Sequence, residues 1–123
     1  MIENEITEKI LKCAFKVHTA LGPGLLESAY LECLYYELKK SSMEVLKEHS
    51  LPLKYEDVKL DVGYRIDLLV EGKVVVELKS VENITDVHIA QTLTYLKLTG
   101  CKIGLLINFN MKSLRNGIKR LIY

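Results

Sequence analysis

What this chain has little of narrows its class before any motif is read. It carries three cysteines, Cys13, Cys33 and Cys101, odd in number, far apart and without a C-x-x-C pair. Such a set argues against a disulfide framework or a zinc site and predicts reduced, mostly buried thiols. No apolar run approaches the roughly 20 residues of a membrane span. The N-terminus, Met1-Ile2-Glu3-Asn4-Glu5, is acidic where a secretory leader is basic, so a cytoplasmic location and no membrane partner are expected. Gly22 and Gly24 flank Pro23 without the lysine and serine or threonine of a phosphate-cradling loop, so nucleoside triphosphate binding is not supported. Residues 87–123 contain no acid and six basic residues, although the whole chain has a net charge of only +1. Lys97, Lys102, Lys112, Arg115, Lys119 and Arg120 are thus candidates for a phosphate-attracting surface, or equally for an ordinary solvated face.

The rest of the composition is that of a folded protein: 49% hydrophobic and 27% charged residues in a chain of 123. That length predicts a single domain over 1–123, burying roughly two thirds of its unfolded surface. Ile6, Ile10, Cys13, Ala14, Val17 and Leu21 recur at helical spacing, predicting an amphipathic helix over 4–21 that ends at Gly22-Pro23-Gly24. Leu26, Ala29, Tyr30, Cys33, Leu34 and Leu38 predict a second helix over 25–40, so the chain opens with a helical hairpin.

From Val45 the period shortens to two, and strands are expected near 45–55, 58–70 and 73–79, turning at Glu56-Asp57 and Glu71-Gly72. Pro52 marks strand 45–55 as an edge, and Gly63 is a candidate bulge. Thr85 or Asp86 can cap a third helix reaching Thr99 and stopping at Gly100, with Ile89, Ala90, Leu93 and Leu96 as its expected buried side. Ile103-Gly104-Leu105-Leu106-Ile107 is aliphatic on both faces, as a central strand is, and the crossover helix would set it parallel to 73–79. Residues 116–123 read as a short edge strand.

Against this aliphatic background three charges stand out: Asp67 inside Ile66-Asp67-Leu68-Leu69-Val70, and Glu77 and Lys79 ending Val74-Val75-Val76-Glu77-Leu78-Lys79. Burying an unpaired charge costs several kcal/mol, about enough to demand a compensating ion or partner. Side chains two apart on a strand share a face, so Glu77 and Lys79 project together. In a hairpin turning at 71–72, Asp67 lies at nearly the height of Glu77, and the two carboxylates can share one hard cation. The plain alternative is a surface Glu/Lys pair beside an exposed Asp.

A second group of motifs bears on that choice. Gly24-Leu25-Leu26-Glu27-Ser28-Ala29-Tyr30 is a G-x-x-E-x-x-Y run, preceded by His18-Thr19-Ala20-Leu21-Gly22-Pro23. With Tyr64 to Val70, Val76 to Lys79, Val87 to Lys97 and Thr99 to Phe109, it resembles the GxxExxY family of the PD-(D/E)XK nuclease superfamily over nearly the whole chain. The resemblance implies an α/β (α+β) fold with a restriction-endonuclease-like core, consisting of an N-terminal helical hairpin, a mixed sheet with a β-meander, a crossover helix and further strands. It also implies that Asp67, Glu77 and Glu27 bind a magnesium or manganese ion, while Lys79, Glu27 and Gln91 serve catalysis. Asp67 follows Ile66, so the proline of the superfamily's name is absent, but that proline is not a ligand.

The expected activity is metal-dependent hydrolysis of phosphodiester bonds in DNA or RNA, with a homodimer or partner helping so short a chain to choose its target. The alternative is a non-catalytic module that keeps the fold and binds nucleic acid or protein. Among other residues, His18 is expected to be structural, His88 to reach the cleft or a phosphate, and His49 to lie on strand surface. Tyr30, Tyr35 and Tyr36 are expected to pack in the core, Tyr30 with a hydrogen bond to the site.

Overall fold

The stripe Ile6, Ile10, Cys13, Ala14 and Val17 forms the buried side of a helix, α1 (Glu3–Leu21), in the computed structural model, which describes the backbone of residues 1–123 and every side chain except that of Val62. Gly22, at φ 67°, ends α1 with its N–H on the carbonyl of His18. The second helix, α2 (Glu27–Lys40), starts two residues later than its apolar spacing predicts, because Leu25 and Leu26 stay outside in an extended loop. Tyr30, Leu31, Leu34 and Leu38 are its buried side. Tyr36, expected in the core, is 63% exposed, since it lies on the side of α2 away from these residues.

The strands are β1 (Val45–Tyr55), β2 (Val58–Val70) and β3 (Val74–Lys79), followed by helix α3 (Asp86–Thr99), then β4 (Ile103–Asn108), a 3-10 turn (Leu114–Gly117) and β5 (Ile118–Ile122). They form one mixed sheet in the order β1-β2-β3-β4-β5. Every pair is antiparallel except β3 with β4, where the α3 crossover makes the strands parallel, as predicted. Both turns fall where expected, and Glu71 and Gly72 have φ 55° and 63°, the signs that a tight type I′ hairpin requires. The register of β1 with β2 slips between Leu51 and Leu53, opposite residues 61–63, which places the expected irregularity at Gly63 (φ 57°). Pro52, which has no N–H to pair, sits at the slip.

The sheet separates two apolar layers. Val74, Val76, Leu78, Leu105 and Ile107 pack beneath α1 and α2, while Leu51, Ile66, Val75, Tyr95 and Leu96 cluster on the α3 side. The orientation of α3 corrects the sequence reading: Thr92, Tyr95 and Leu96 are buried, whereas Ile89 and Leu93 are only half-buried and Ala90 is exposed. Gly104 is the reason. A Cβ there would stand 3.1 Å from Leu96 Cδ2 and 3.3 Å from Thr92 Cγ2, so the helix lies directly on β4 at these two residues. The buried hydroxyl of Thr92 donates to the carbonyl of His88 at 3.0 Å, so its burial leaves no donor unmet.

The last strand is shorter than predicted, because residues 114–117 wind into the 3-10 turn before β5 begins. Gly117 permits this, since a Cβ there would overlap the carbonyl oxygen of Asn108 and press on Met111 Cγ at 2.8 Å. The three thiols are free, with Cys13 and Cys101 buried and Cys33 half-buried. No helix of the described residues is long and apolar enough to cross a membrane.

Gly117→Ala is expected to lower stability by about 1–3 kcal/mol, because backbone rather than a mobile side-chain tip must move. The midpoint of urea unfolding measures this; an unchanged midpoint would contradict the close approach at Asn108.

Candidate active site

The β2–β3 ladder has only three rungs, Val70 with Val74, Leu69 with Val75 and Leu68 with Val76. The next would join Asp67 to Glu77, and there side chains take over from backbone. The N–H of Asp67 donates to Glu77 Oε2 at 2.8 Å, and the N–H of Leu78 donates to Asp67 Oδ2 at 2.8 Å. Beyond this point β2 continues with β1 alone, down to the rung of Tyr55 with Val58. The strands therefore fork, with the two carboxylates at the crotch.

Local geometry prepares the fork. Leu68 and Val70 belong to the α1–α2 core, yet Ile66 joins the α3-side cluster, so strict alternation breaks at Asp67. On β1 the residue between the neighbouring rungs, Glu48, has φ 52°, a left-handed conformation rare in a strand. On β3 alternation is regular: Val75, Glu77 and Lys79 face α3. Glu77 is only 3% exposed, while Asp67 and Lys79 are half-buried. Lys79 Nζ donates to Gln91 Oε1 on α3 at 3.4 Å, so strand and helix meet across the site.

Glu27 arrives from the other layer as the first residue of α2, and the G-x-x-E-x-x-Y run acts as its mount. The Tyr30 hydroxyl donates to the carbonyl of Gly22 at 2.5 Å and accepts from the N–H of Leu25 at 3.1 Å, closing the loop on itself. Ser80 Oγ, just past β3, donates to the carbonyl of Leu25 at 2.6 Å. Asn110 Oδ1 accepts from the N–H of Gly24 at 3.1 Å. Asn108, at the end of β4, ties that neighbourhood together: its Oδ1 accepts from the N–H groups of Val81 and Asn110, and its Nδ2 donates to the carbonyl of Val81. The ring of Tyr30 stacks on Phe109 with centroids 4.7 Å apart. Tyr30 thus packs in the core as expected, while its hydroxyl bonds to the backbone of the loop before Glu27 rather than to any of the acids. Ser80, Asn108 and Asn110 went unrecognised in the sequence; the one available signal was a buried asparagine ending an otherwise aliphatic strand.

Electrostatics mark the fork as a concentration of unfavourable negative charge. Burial, and then the neighbouring charge of Asp67, push the Glu77 carboxyl up to about 9. Burial also raises Asp67, opposed by the Leu78 N–H and by Lys79. Glu27 is raised by burial, with Lys79 opposing and Asp67 adding to the effect. All three acids therefore resist ionising together, which is the condition a divalent cation relieves. Among the described residues, however, no three His, Cys, Asp or Glu side chains are gathered closely enough to hold a metal ion. The expected three-carboxylate set is thus a fixed pair, Asp67 and Glu77, with Glu27 held nearby. In donor type the set fits magnesium or manganese, since all its groups are hard carboxylate oxygens.

The histidines lie elsewhere in function. His88 does not reach the cleft: its Nδ1 accepts from the N–H of Thr85 at 3.0 Å and completes the capping box of α3. His18 is structural, as expected, buried with Nε2 2.7 Å from the carbonyl oxygen of Met111. Tyr95, one turn from Gln91, borders the acids; burial and then the charges of Glu77 and Asp67 raise its hydroxyl.

A family model of the PD-(D/E)XK nuclease superfamily matches residues 4–121, nearly the whole chain. No curated protein matches the chain, and no solved structure does.

The raised Glu77 gives a signed pH dependence. Below about pH 4.5 both folded and unfolded chains hold the proton; between there and about 9 only the folded chain retains it, so metal-free stability falls as pH rises and levels off above 9. The melting temperature in chelator is expected to drop by roughly 5 °C or more from pH 5 to pH 8, and Glu77→Gln to flatten that slope. A parallel slope in the variant would show that Glu77 is not the group responsible.

Proposed function

Since the chain belongs to the PD-(D/E)XK nuclease superfamily, and its three helices and mixed sheet accord with the restriction-endonuclease-like fold, we propose that it hydrolyses phosphodiester bonds in nucleic acid at the β2–β3 fork. The observation that carries this reading is the reciprocal pinning of Asp67 and Glu77 to each other's strand, with Lys79 on the same face. Such pinning holds two costly carboxylates together where β-ladder bonds would otherwise suffice. Asp67 and Glu77 would hold a magnesium or manganese ion, with Glu27 as the third carboxylate of the set. When bound, the ion polarises a phosphoryl oxygen and acidifies water.

The protein's own groups do the rest. Lys79 orients the attacking water and offsets the negative charge that develops on the phosphoryl oxygens, while Gln91 holds the ammonium in place. Tyr30 is a positioning residue acting through the loop before Glu27. The loop it closes carries the G-x-x-E-x-x-Y motif, which supports placing the chain in the GxxExxY group. On the same reading residues 1–123 work as one domain in the cytoplasm, where the thiols stay reduced, and a homodimer supplies the surface that so short a chain lacks.

Purified protein with magnesium or manganese is expected to cut a DNA or RNA substrate, and Asp67→Ala or Lys79→Ala to slow cleavage ~100-fold or more. Full activity in both variants would refute the assignment. The same ions should raise the melting temperature of the wild type at pH 8 and leave Asp67→Ala unmoved. Tyr30→Phe should keep the fold while weakening both the metal-induced shift and cleavage; an unaltered shift would remove Tyr30 from the mount of Glu27.

A further inference from the structure

Beside the fork lies an open recess of about 330 Å³, lined chiefly by Leu53, Tyr64, Val87, Gln91, Tyr95 and Leu98. Its walls come from two independent parts of the fold, the β1–β2 hairpin and α3. None of its lining residues is charged, although charged side chains cluster a few residues away. Two of them also belong to the charged cluster: Gln91 accepts from Lys79, and Tyr95 borders Glu77 and Asp67. The recess is therefore continuous with the place where a phosphate would be cut. Tyr64 and Val87 stand 41% and 75% exposed at its edge. Large apolar groups gathered around an open hollow mark a binding surface more often than chance exposure.

We infer that this recess receives one unpaired nucleobase next to the phosphate being cut, so that the substrate is single-stranded nucleic acid or a single-stranded stretch within it. The inference rests on the nuclease reading and adds the substrate class. A phosphate does not belong in an uncharged apolar hollow, and a base stacked within a duplex cannot enter it. A splayed base can: its flat face meets the Tyr64 ring while its other surfaces meet Leu53, Val87 and Leu98. Stacking on an aromatic ring tolerates every base, because each has a π-face. Gln91 and Tyr95 line the recess and also adjoin the charged cluster, so base and phosphate would be adjacent parts of one nucleotide unit.

The test uses the full chain carrying Glu77→Gln, in chelator, so that nothing is cut and the fork carries no pH-dependent charge at position 77. The probes are a short oligonucleotide containing 2-aminopurine and the same strand in a blunt duplex. Expected are at least about tenfold tighter binding of the single strand, with a change in 2-aminopurine fluorescence, and a loss of about tenfold in single-strand affinity on adding Tyr64→Ala but not Tyr64→Phe. Val87→Asp, at a highly exposed site where folding is not at stake, should weaken single-strand binding as well. Equal affinity for the two probes, or no effect of both Tyr64→Ala and Val87→Asp, overturns the inference. If the wild type with magnesium then still cuts duplex, the nuclease reading stands without it; if neither probe is bound or cut, both fall.

Discussion

Everything at the forked end of this sheet hangs on two hydrogen bonds, from the Asp67 N–H to Glu77 and from the Leu78 N–H to Asp67. They occupy the position of a ladder rung but use side chains, so the strands remain joined while their backbones part. Without them a buried acid and a half-buried one would have every electrostatic reason to separate. With them, the burial of both carboxyls, and for Glu77 also the charge of Asp67, is held as a standing cost in the folded state, seen in the raised Glu77 and Asp67 carboxyls. A stable core elsewhere makes that cost tolerable: both apolar layers close around Val74, Val75, Val76 and Leu78 immediately behind the pair. Costly charge and stabilising apolar burial thus stand side by side on one short strand.

Most of the architecture was legible because local signals agreed with the global fold. Two turns with left-handed residues, an aliphatic central strand and a glycine stop after Thr99 set element order and direction, and the height of Asp67 against Glu77 followed from counting residues around a turn. What escaped was set by close approach rather than by pattern. The buried side of α3 includes Thr92 and leaves Ala90 in solvent, because Gly104 admits the helix at one place on β4. Apolar periodicity cannot register a missing side chain on a different strand. His88 was likewise ambiguous: one turn into a helix, a histidine can face a cleft or cap its own N-terminus, and the Thr85 N–H decides for the cap.

The candidate site shows the same division. The meeting of Asp67, Glu77 and Lys79 was readable from strand parity, whereas Gln91 and Glu27 were readable only through the resemblance. The approach of Glu27 depends on a loop whose conformation is set by Tyr30, Ser80 and Asn110 from three separate regions. The spacing between Glu27 and Tyr30 is what a one-turn clip requires: the tyrosine ring anchors on Phe109 and its hydroxyl reaches back over a single helical turn to the residues before the glutamate.

The contact at Gly104 has a mechanical consequence. Because α3 rests on β4 with no intervening side chain, that wall of the cleft cannot recede without breaking the packing of Leu96 and Thr92. The opposite wall is the part of the β1–β2 hairpin beyond the fork, which no third strand restrains and which already contains a register slip at Pro52 and a left-handed residue at Glu48. The cleft is thus built unevenly: one wall is keyed into the sheet through a missing side chain, and the other is a two-stranded ribbon whose regular pairing is interrupted twice.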